Sequence, residues 1–333
     1  MKYIILLSSI LFTTFCFSQQ IPQYSQFINN PQLYNPSCIG LVKQSTLSLG
    51  GRWQMLGFGS EPRTAFLDGH LKLKGIEKDK INPGLRFNED SVSNNIDSIT
   101  SISFEHFVGG QLIVDYYGAF RRTSLNALYS LSFTINNDWK GLIGTSIGFS
   151  NFGFNSTKAQ VLNTTDPTQS YAGGDSEYDG FVSGSLNKNS IDLGLGLTLM
   201  NESFIFGIAA NQLSKSSLDL NTNNSVFFDQ RIHWNALVGY TYSIDEMLDL
   251  QGMIIVKKMM PSPISLEMCV KATFPNSLWA GLHFRNRSSI GLMGGMFINN
   301  KFQLGYSIDF STNKIRNFTN GGHELIISYR FGE

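Results

Sequence analysis

The chain has 333 residues, with 25 basic and 25 acidic side chains, 42% hydrophobic and only 15% charged. Neutrality with scattered cations leaves no electrostatic footprint for DNA or RNA, and the apolar content is too high for a disordered chain. The 32 glycines follow no fixed period and come with only 9 prolines, which excludes collagen, and past the N-terminus no apolar run is long enough for a membrane helix.

At the N-terminus Lys2 precedes an apolar run over residues 3–17, followed by Ser18-Gln19. That is the layout of a signal peptide cleaved after a small residue, so residues 1–18 are expected to be removed on export. The run is too short to span a bilayer. Phe15 stands where a lipoprotein signal at Cys16 would need a small residue. Cys38 and Cys269 survive cleavage, either as a disulfide or as two small buried thiols. The next segment, 19–43, is too rich in Pro and Asn to be a strand.

From residue 44 onward the apolar residues recur with period two. Ile264, Leu266, Met268, Val270 and Ala272 alternate with Ser265, Glu267, Cys269, Lys271 and Thr273. Strict alternation of this kind marks a strand with one oily face. The pattern predicts fourteen strands, at 44–54, 63–74, 104–115, 123–135, 140–154, 189–200, 203–212, 230–243, 248–258, 264–274, 278–286, 289–298, 302–311 and 322–332. Tight links such as Asn136-Asn137-Asp138, Asn201-Glu202 and Asn299-Asn300 carry turn chemistry. They alternate with longer links at 155–188, 213–229, 259–263 and 312–321, with 287–288 a short exception.

Short turns at one end and long loops at the other describe an all-β, transmembrane up-and-down β-barrel of about 14 antiparallel strands in the outer membrane. An even count places both termini in the periplasm. Aromatics near strand ends (Phe58, Phe66, Tyr116, Tyr117, Trp139, Phe152, Phe154, Tyr242, Trp279, Phe310 and Phe331) suit interfacial girdles. A soluble β-sandwich is the alternative, although fourteen strands are many for one sandwich. The segment 75–103 should be a short turn by parity, yet it is long and polar, which leaves room for an extra hairpin and sixteen strands. The organisation is thus a signal peptide (1–18), an N-terminal periplasmic or plug segment (19–43) and a barrel (44–333).

No enzymatic constellation emerges. Gly144-Thr145-Ser146-Ile147-Gly148 matches the hydrolase string Gly-x-Ser-x-Gly, but it lies mid-strand with no helix after it. The five histidines are dispersed, without metal-ligand spacing. Asp175, Glu177, Asp179 and Gly180 echo the start of a calcium loop, but its twelfth position is Leu186. No cofactor or metal is expected. Inward-facing Glu267, Lys271, His283, Arg285, Asp309, Glu324 and Arg330 are candidates for an ionic network across a lumen too wide to be filled by side chains alone. The segment 19–43 is expected to fold back into the periplasmic mouth or lumen, with Tyr24, Phe27, Leu33 and Tyr34 as packing anchors. The loops 155–188 and 213–229 are the expected contact surface for a partner, where Tyr171, Asp175, Glu177, Tyr178 and Asp179 suit a polar, aromatic-anchored interface.

Five blocks carry a resemblance: QYSQFINNPQLYNPSCIGL (23–41), GRWQ (51–54), EPRTAFLDGHLKLK (61–74), SLWAGLHFR (277–285) and LGYSIDFSTNKIRNFTNGGHELIISYRFG (304–332). Together they resemble the PorP/SprF family, outer-membrane proteins associated with the type IX secretion system. The likeness covers essentially the whole mature chain, and its first and last blocks are the specific part. It implies a barrel in outer-membrane lipid that works with the secretion machinery, in a cell-surface or gliding-motility setting. The implied partner is a large secreted or surface protein, such as an adhesin, held through its type IX C-terminal domain. The other functional class left open is a porin or diffusion channel. The long 75–103 segment and the acidic 166–180 loop depart from the family pattern, which leaves the identity of the cargo open.

Overall fold

The computed structural model describes residues 22–42, 44–59, 61–73, 103–155, 158, 187–214, 217–219, 227–244, 248–275, 277–299 and 301–332. The strands, in chain order, are β1 (Ser45–Trp53), β2 (Arg63–Lys72), β3 (Phe104–Tyr117), β4 (Phe120–Thr134), β5 (Lys140–Phe154), β6 (Asn187–Met200) and β7 (Phe204–Asn211). A short hairpin, β8 (Ser217–Asp219) and β9 (Phe227–Asp229), follows outside the main sheet. The series resumes with β10 (His233–Ile244), β11 (Leu248–Met259), β12 (Ser265–Thr273), β13 (Leu278–Arg285), β14 (Ser289–Ile298), β15 (Phe302–Ser311) and β16 (Gly322–Phe331). Every strand of the main sheet pairs antiparallel with its sequence neighbour, β7 pairs with β10, and β16 returns to β1. The result is a closed barrel of fourteen strands, which excludes the open-edged sandwich.

Closure also decides the strand count. β2 pairs directly with β3, from Arg63 opposite Tyr116 to Lys72 opposite Phe107. A further hairpin in the wall would have to lie between those two strands, so sixteen wall strands are excluded whatever 74–102 does.

The period-two pattern sorts the side chains between the two faces of the wall. Leu47, Leu49, Leu67, Leu125, Ile147, Ile191, Leu195 and Ile208 are exposed on the outside, while Ser48, Thr64, Asp68, Ser130, Thr198 and Asn235 are buried inside. The outer apolar face is the surface that a transmembrane barrel presents to lipid. The mouth that carries the start of β1 and the end of β16 is closed mainly by short links. In two of these an Asn side chain folds the turn: Asn136 Oδ1 accepts from Asp138 N (3.0 Å) and Trp139 N (2.8 Å), and Asn201 Oδ1 accepts from Ser203 N (2.9 Å) and Phe204 N (2.6 Å). The opposite mouth carries the long connections after β5 and β7. They will be called the short-link and long-link mouths.

Three aromatics expected in the interfacial girdle point inward instead: Phe66, Phe152 and Trp279 are all buried. The reason is that the lumen holds polypeptide rather than water alone. Phe66 meets Tyr24 edge-on with ring centroids 5.2 Å apart. Trp279 lies in one apolar cluster with Tyr24, Phe27, Leu33 and Tyr34. Neighbouring outward rings such as Phe204 and Tyr240 (4.6 Å), or Phe302 and Tyr329 (4.7 Å), form the aromatic groups of the outer face near the short-link mouth.

Candidate functional site

The segment 22–42 lies inside the barrel. Its prolines shape two short 3-10 turns, Pro31–Leu33 and Pro36–Gly40, the second capped by Asn35 Oδ1 accepting from Ser37 N. Its own turns satisfy part of its buried backbone, as in Tyr34 N to Pro31 O (3.0 Å) and Cys38 N to Asn35 O (3.0 Å), and the wall supplies partners for groups they leave over. Glu324 accepts from Ser25 N (2.7 Å) and Gln26 N (2.9 Å). Tyr34 O accepts from Asn211 Nδ2 (2.8 Å) and Asn235 Nδ2 (3.1 Å), Gln32 O from Gln111 Nε2 (3.1 Å), and Ser37 O from Ser130 Oγ (3.1 Å). Each is a side chain on the inward face of a strand.

The apolar side chains of the segment are equally placed. Tyr24, Phe27, Leu33 and Tyr34 are all buried and share one cluster with Phe66 of β2, Leu237 of β10, Met253 and Ile255 of β11, Trp279 of β13 and Ile326 of β16. Ile39 packs with Phe107 and Leu128 of β3 and β4. Burial pushes the phenols of Tyr24 and Tyr34 well above their ordinary range and the Cys38 thiol up to about 12. Cys38 and Cys269 are both free thiols.

Glycines make the close approach possible. A Cβ on Gly144 would stand 2.2 Å from Ser37 N, one on Gly196 would stand 1.9 Å from Asn35 Oδ1, and one on Gly305 would stand 2.2 Å from Gln26 Oε1. Gly144 and Ser146 of the hydrolase-like string therefore belong to a continuous β5, where Gly144 seats the segment.

The charged groups gather near the long-link mouth. Arg52 is paired with both Asp309 and Glu324, the latter at 3.1 Å, and also donates to Ser25 Oγ. Ser25 Oγ donates to Asp309 Oδ1 (2.8 Å). Arg285 Nε donates to Glu267 Oε1 (2.9 Å), Lys257 pairs with the same carboxylate, and Arg285 NH2 reaches Tyr24 O (3.4 Å). His283 Nε2 lies 3.0 Å from Asp309 Oδ1. The structure thus brings together Glu267, His283, Arg285, Asp309 and Glu324. It leaves Lys271 and Arg330 outside this cluster: Lys271 Nζ donates to Asn29 Oδ1 (3.0 Å), and Arg330 NH2 donates to Gln303 Oε1 (3.1 Å). Arg52 and Lys257 were not among the expected members. Arg52 stands on the inward side of β1 within the GRWQ block, which was the available signal.

The segment does not fill the lumen evenly. Between it and the wall lies a cavity of ≈ 80 Å³, lined by Leu33, Tyr34, Gln111, Asp115, Arg122 and Asp192 among others. Arg122 NH2 pairs with Asp192 Oδ2 at 2.9 Å, and the guanidinium lies over the Phe152 ring (5.3 Å). Among the described residues no three His, Cys, Asp or Glu side chains are grouped so as to hold a metal ion. The expected partner-contact residues Tyr171, Asp175, Glu177, Tyr178 and Asp179 lie outside the described residues, as do residues 1–18.

A closed barrel with a lipid-facing exterior and a polar, segment-filled interior is an outer-membrane β-barrel. The chain belongs to the family described as type IX secretion system membrane protein PorP/SprF, which it matches over residues 16–329. It is therefore a secretion-system membrane component rather than an enzyme. Comparison with curated proteins finds no match. Among solved structures, the CymD monoaromatic hydrocarbon channel is similar with a TM-score of 0.48 at 11% identity, covering 94% of this chain and 94% of that one. The outer membrane protein Omp33 of Acinetobacter baumannii gives 0.44 at 10%, covering 87% and 99%. The P. putida toluene transporter TodX gives 0.45 at 9%, covering 90% and 93%.

Proposed function

We propose that this protein is a non-enzymatic outer-membrane component of type IX secretion that supports export or surface attachment of a large secreted partner, such as an adhesin. In this reading the lumen is closed at rest by the protein's own N-terminal segment. The short-link mouth, with both ends of the barrel wall, faces the periplasm and the secretion machinery. The long-link mouth faces outward, and the loops 155–188 and 213–229 meet the partner's C-terminal domain.

The observation that supports this most directly is the docking of 22–42, whose backbone and aromatic side chains are matched by wall residues on most strands. Planar-bilayer recording tests the closed state. The full-length mature chain should give no steady conductance, and deletion of 22–42 should give a persistent open pore. A steady open pore in the intact chain would favour a diffusion channel, and a closed pore after deletion would remove the plug. The partner surface is tested separately: chains with residues 159–186 replaced by a short linker should lose the partner at the cell surface, and full retention would refute the loop assignment.

A further inference from the structure

The outer face of β1–β4 carries an ordered ladder near the long-link mouth. Strand register sets Trp53 opposite Arg63, Arg63 opposite Tyr116, and Tyr116 opposite Arg121, so these four side chains form one rung around the wall. All four are exposed, and Lys158 adds a third cation above the Tyr116 ring (5.8 Å). Two residues further down the same strands the register aligns Gly51, Ala65, Val114 and Thr123, and two residues beyond that Leu49, Leu67, Leu112 and Leu125. The rungs therefore read cation and aromatic, then small, then leucine, each about 7 Å apart along the strand.

We infer that this ladder binds a phosphate-bearing glycolipid of the outer leaflet. The cation rung lies at the edge of the lipid-facing band, where headgroup phosphates sit, and aromatic rings favour that same interface. Guanidinium groups match phosphate oxygens with charge-assisted hydrogen bonds. The Trp53 ring lies over Gly51, which carries the aromatic surface down towards the leucine rung, and that rung receives acyl chains. Glu61 is the carboxylate that the described residues bring to this rung, 3.2 Å from Arg63, while Arg121 donates to the neutral Asn151 at 3.4 Å. An acidic peptide would satisfy the cations but would leave the exposed leucine rung, which faces lipid, unused. On the opposite wall the register sets Trp234 opposite Lys258, whose Nζ donates to Ser262 O at 2.6 Å.

The assignment to the outer leaflet rests on the orientation proposed above; binding itself does not. Native mass spectrometry of the folded full-length mature chain in detergent, with bisphosphorylated lipid A, its dephosphorylated form and inorganic phosphate offered separately, tests the binding. The bisphosphorylated lipid should be retained over the dephosphorylated one, and inorganic phosphate should not displace it. Arg121→Ala with Lys158→Ala should lower retention by about tenfold or more, as expected for lost charge-assisted contacts. Lys258→Ala should leave it unchanged, and gel mobility before and after heating confirms that each variant is folded. Equal retention of the two lipids, displacement by inorganic phosphate, or retention indifferent to the double variant would each overturn the proposal. Orientation is read independently by protease access to the long-link loops on intact cells. Internal cleavage sites there, with lipid binding intact, would reject the orientation and keep the lipid site.

Discussion

Glu324→Ala tests how the N-terminal segment is held. The carboxylate is fully buried and accepts from Ser25 N at 2.7 Å, Gln26 N at 2.9 Å and Arg52 NH1 at 3.1 Å. Alanine removes all three contacts and leaves two buried N–H groups without an acceptor. Arg52 and Glu324 both belong to the wall, so their pair forms with the segment docked or undocked. What docking loses is two hydrogen bonds to a charged acceptor, about 1.5 kcal/mol each, so about 3 kcal/mol or roughly a hundredfold in the docking equilibrium. Cys38 reports on docking, because burial raises its thiol to about 12 and shields it from reagents. In a Cys269→Ser background, labelling by a membrane-impermeant maleimide at neutral pH should therefore accelerate by about two orders of magnitude in Glu324→Ala. Glu324→Gln, which keeps one acceptor oxygen, should fall between. An unchanged labelling rate in a variant whose barrel remains folded would refute the reasoning.

Gly144→Ala should undock the segment, because its Cβ would press on Ser37 backbone atoms (2.2 Å from N) that cannot yield as a side chain does; the same substitution in a chain lacking 22–42 should leave barrel stability, read by heat-dependent gel mobility, unaffected. Asn35→Ala removes the amide that donates to Thr198 Oγ1 (3.2 Å) and Leu197 O (3.3 Å) on β6 and should weaken docking by about 1 kcal/mol, seen as a modest rise in Cys38 labelling. The raised Cys38 pKa means that the docked state holds its proton more tightly than the undocked one, so docking is at full strength below about pH 8.5 and weakens as pH rises towards 12. Chymotryptic cleavage at Tyr24, Phe27 or Tyr34 should accordingly rise with alkaline pH in the native chain and less so in Cys38→Ser.

The wall was legible in the sequence because one physical signal dominates it. Lipid on one side and a polar lining on the other force period two, as in Leu47 and Leu49 against Ser48, and the turns carry their own Asn chemistry. What lay across the bore was less legible. The inward face of β11 mixes Gln251, Met253, Ile255 and Lys257, so Lys257 has no polar neighbours in the pattern to single it out, and Arg52 follows Ser48 and Gly50 on a face of small residues. Phe66 and Trp279 look like girdle residues in sequence, since nothing local says that their partners are Tyr24 and its neighbours. Lys271 and Arg330 look like ion-pair members until the amides of Asn29 and Gln303 are seen to reach them first. Arg330 apart, whose partner Gln303 is on the wall, the missing information is which inward residue meets the segment, a contact between positions up to 299 residues apart, as for Ser25 and Glu324.

Two kinds of contact hold the segment, and their magnitudes assign them different roles. If the segment leaves, water can enter the lumen and hydrate Arg52, Asp309 and Glu324, so those groups recover much of what they lose. The rings of Tyr24 and Phe27 and their wall partners Phe66 and Trp279 recover nothing from water. Truncating one such buried aromatic costs about 3–5 kcal/mol, comparable to an entire broken ion pair, and two act in the same cluster. The ionic contacts therefore fix where Ser25 and Gln26 sit, while the aromatic contacts set how strongly the segment stays. In bilayer recordings Glu324→Ala should accordingly flicker, with brief openings from a closed baseline, whereas Tyr24→Ala combined with Phe27→Ala should stay open. A Glu324→Ala pore as persistently open as that of the aromatic double variant would show that charge, rather than apolar burial, governs closure.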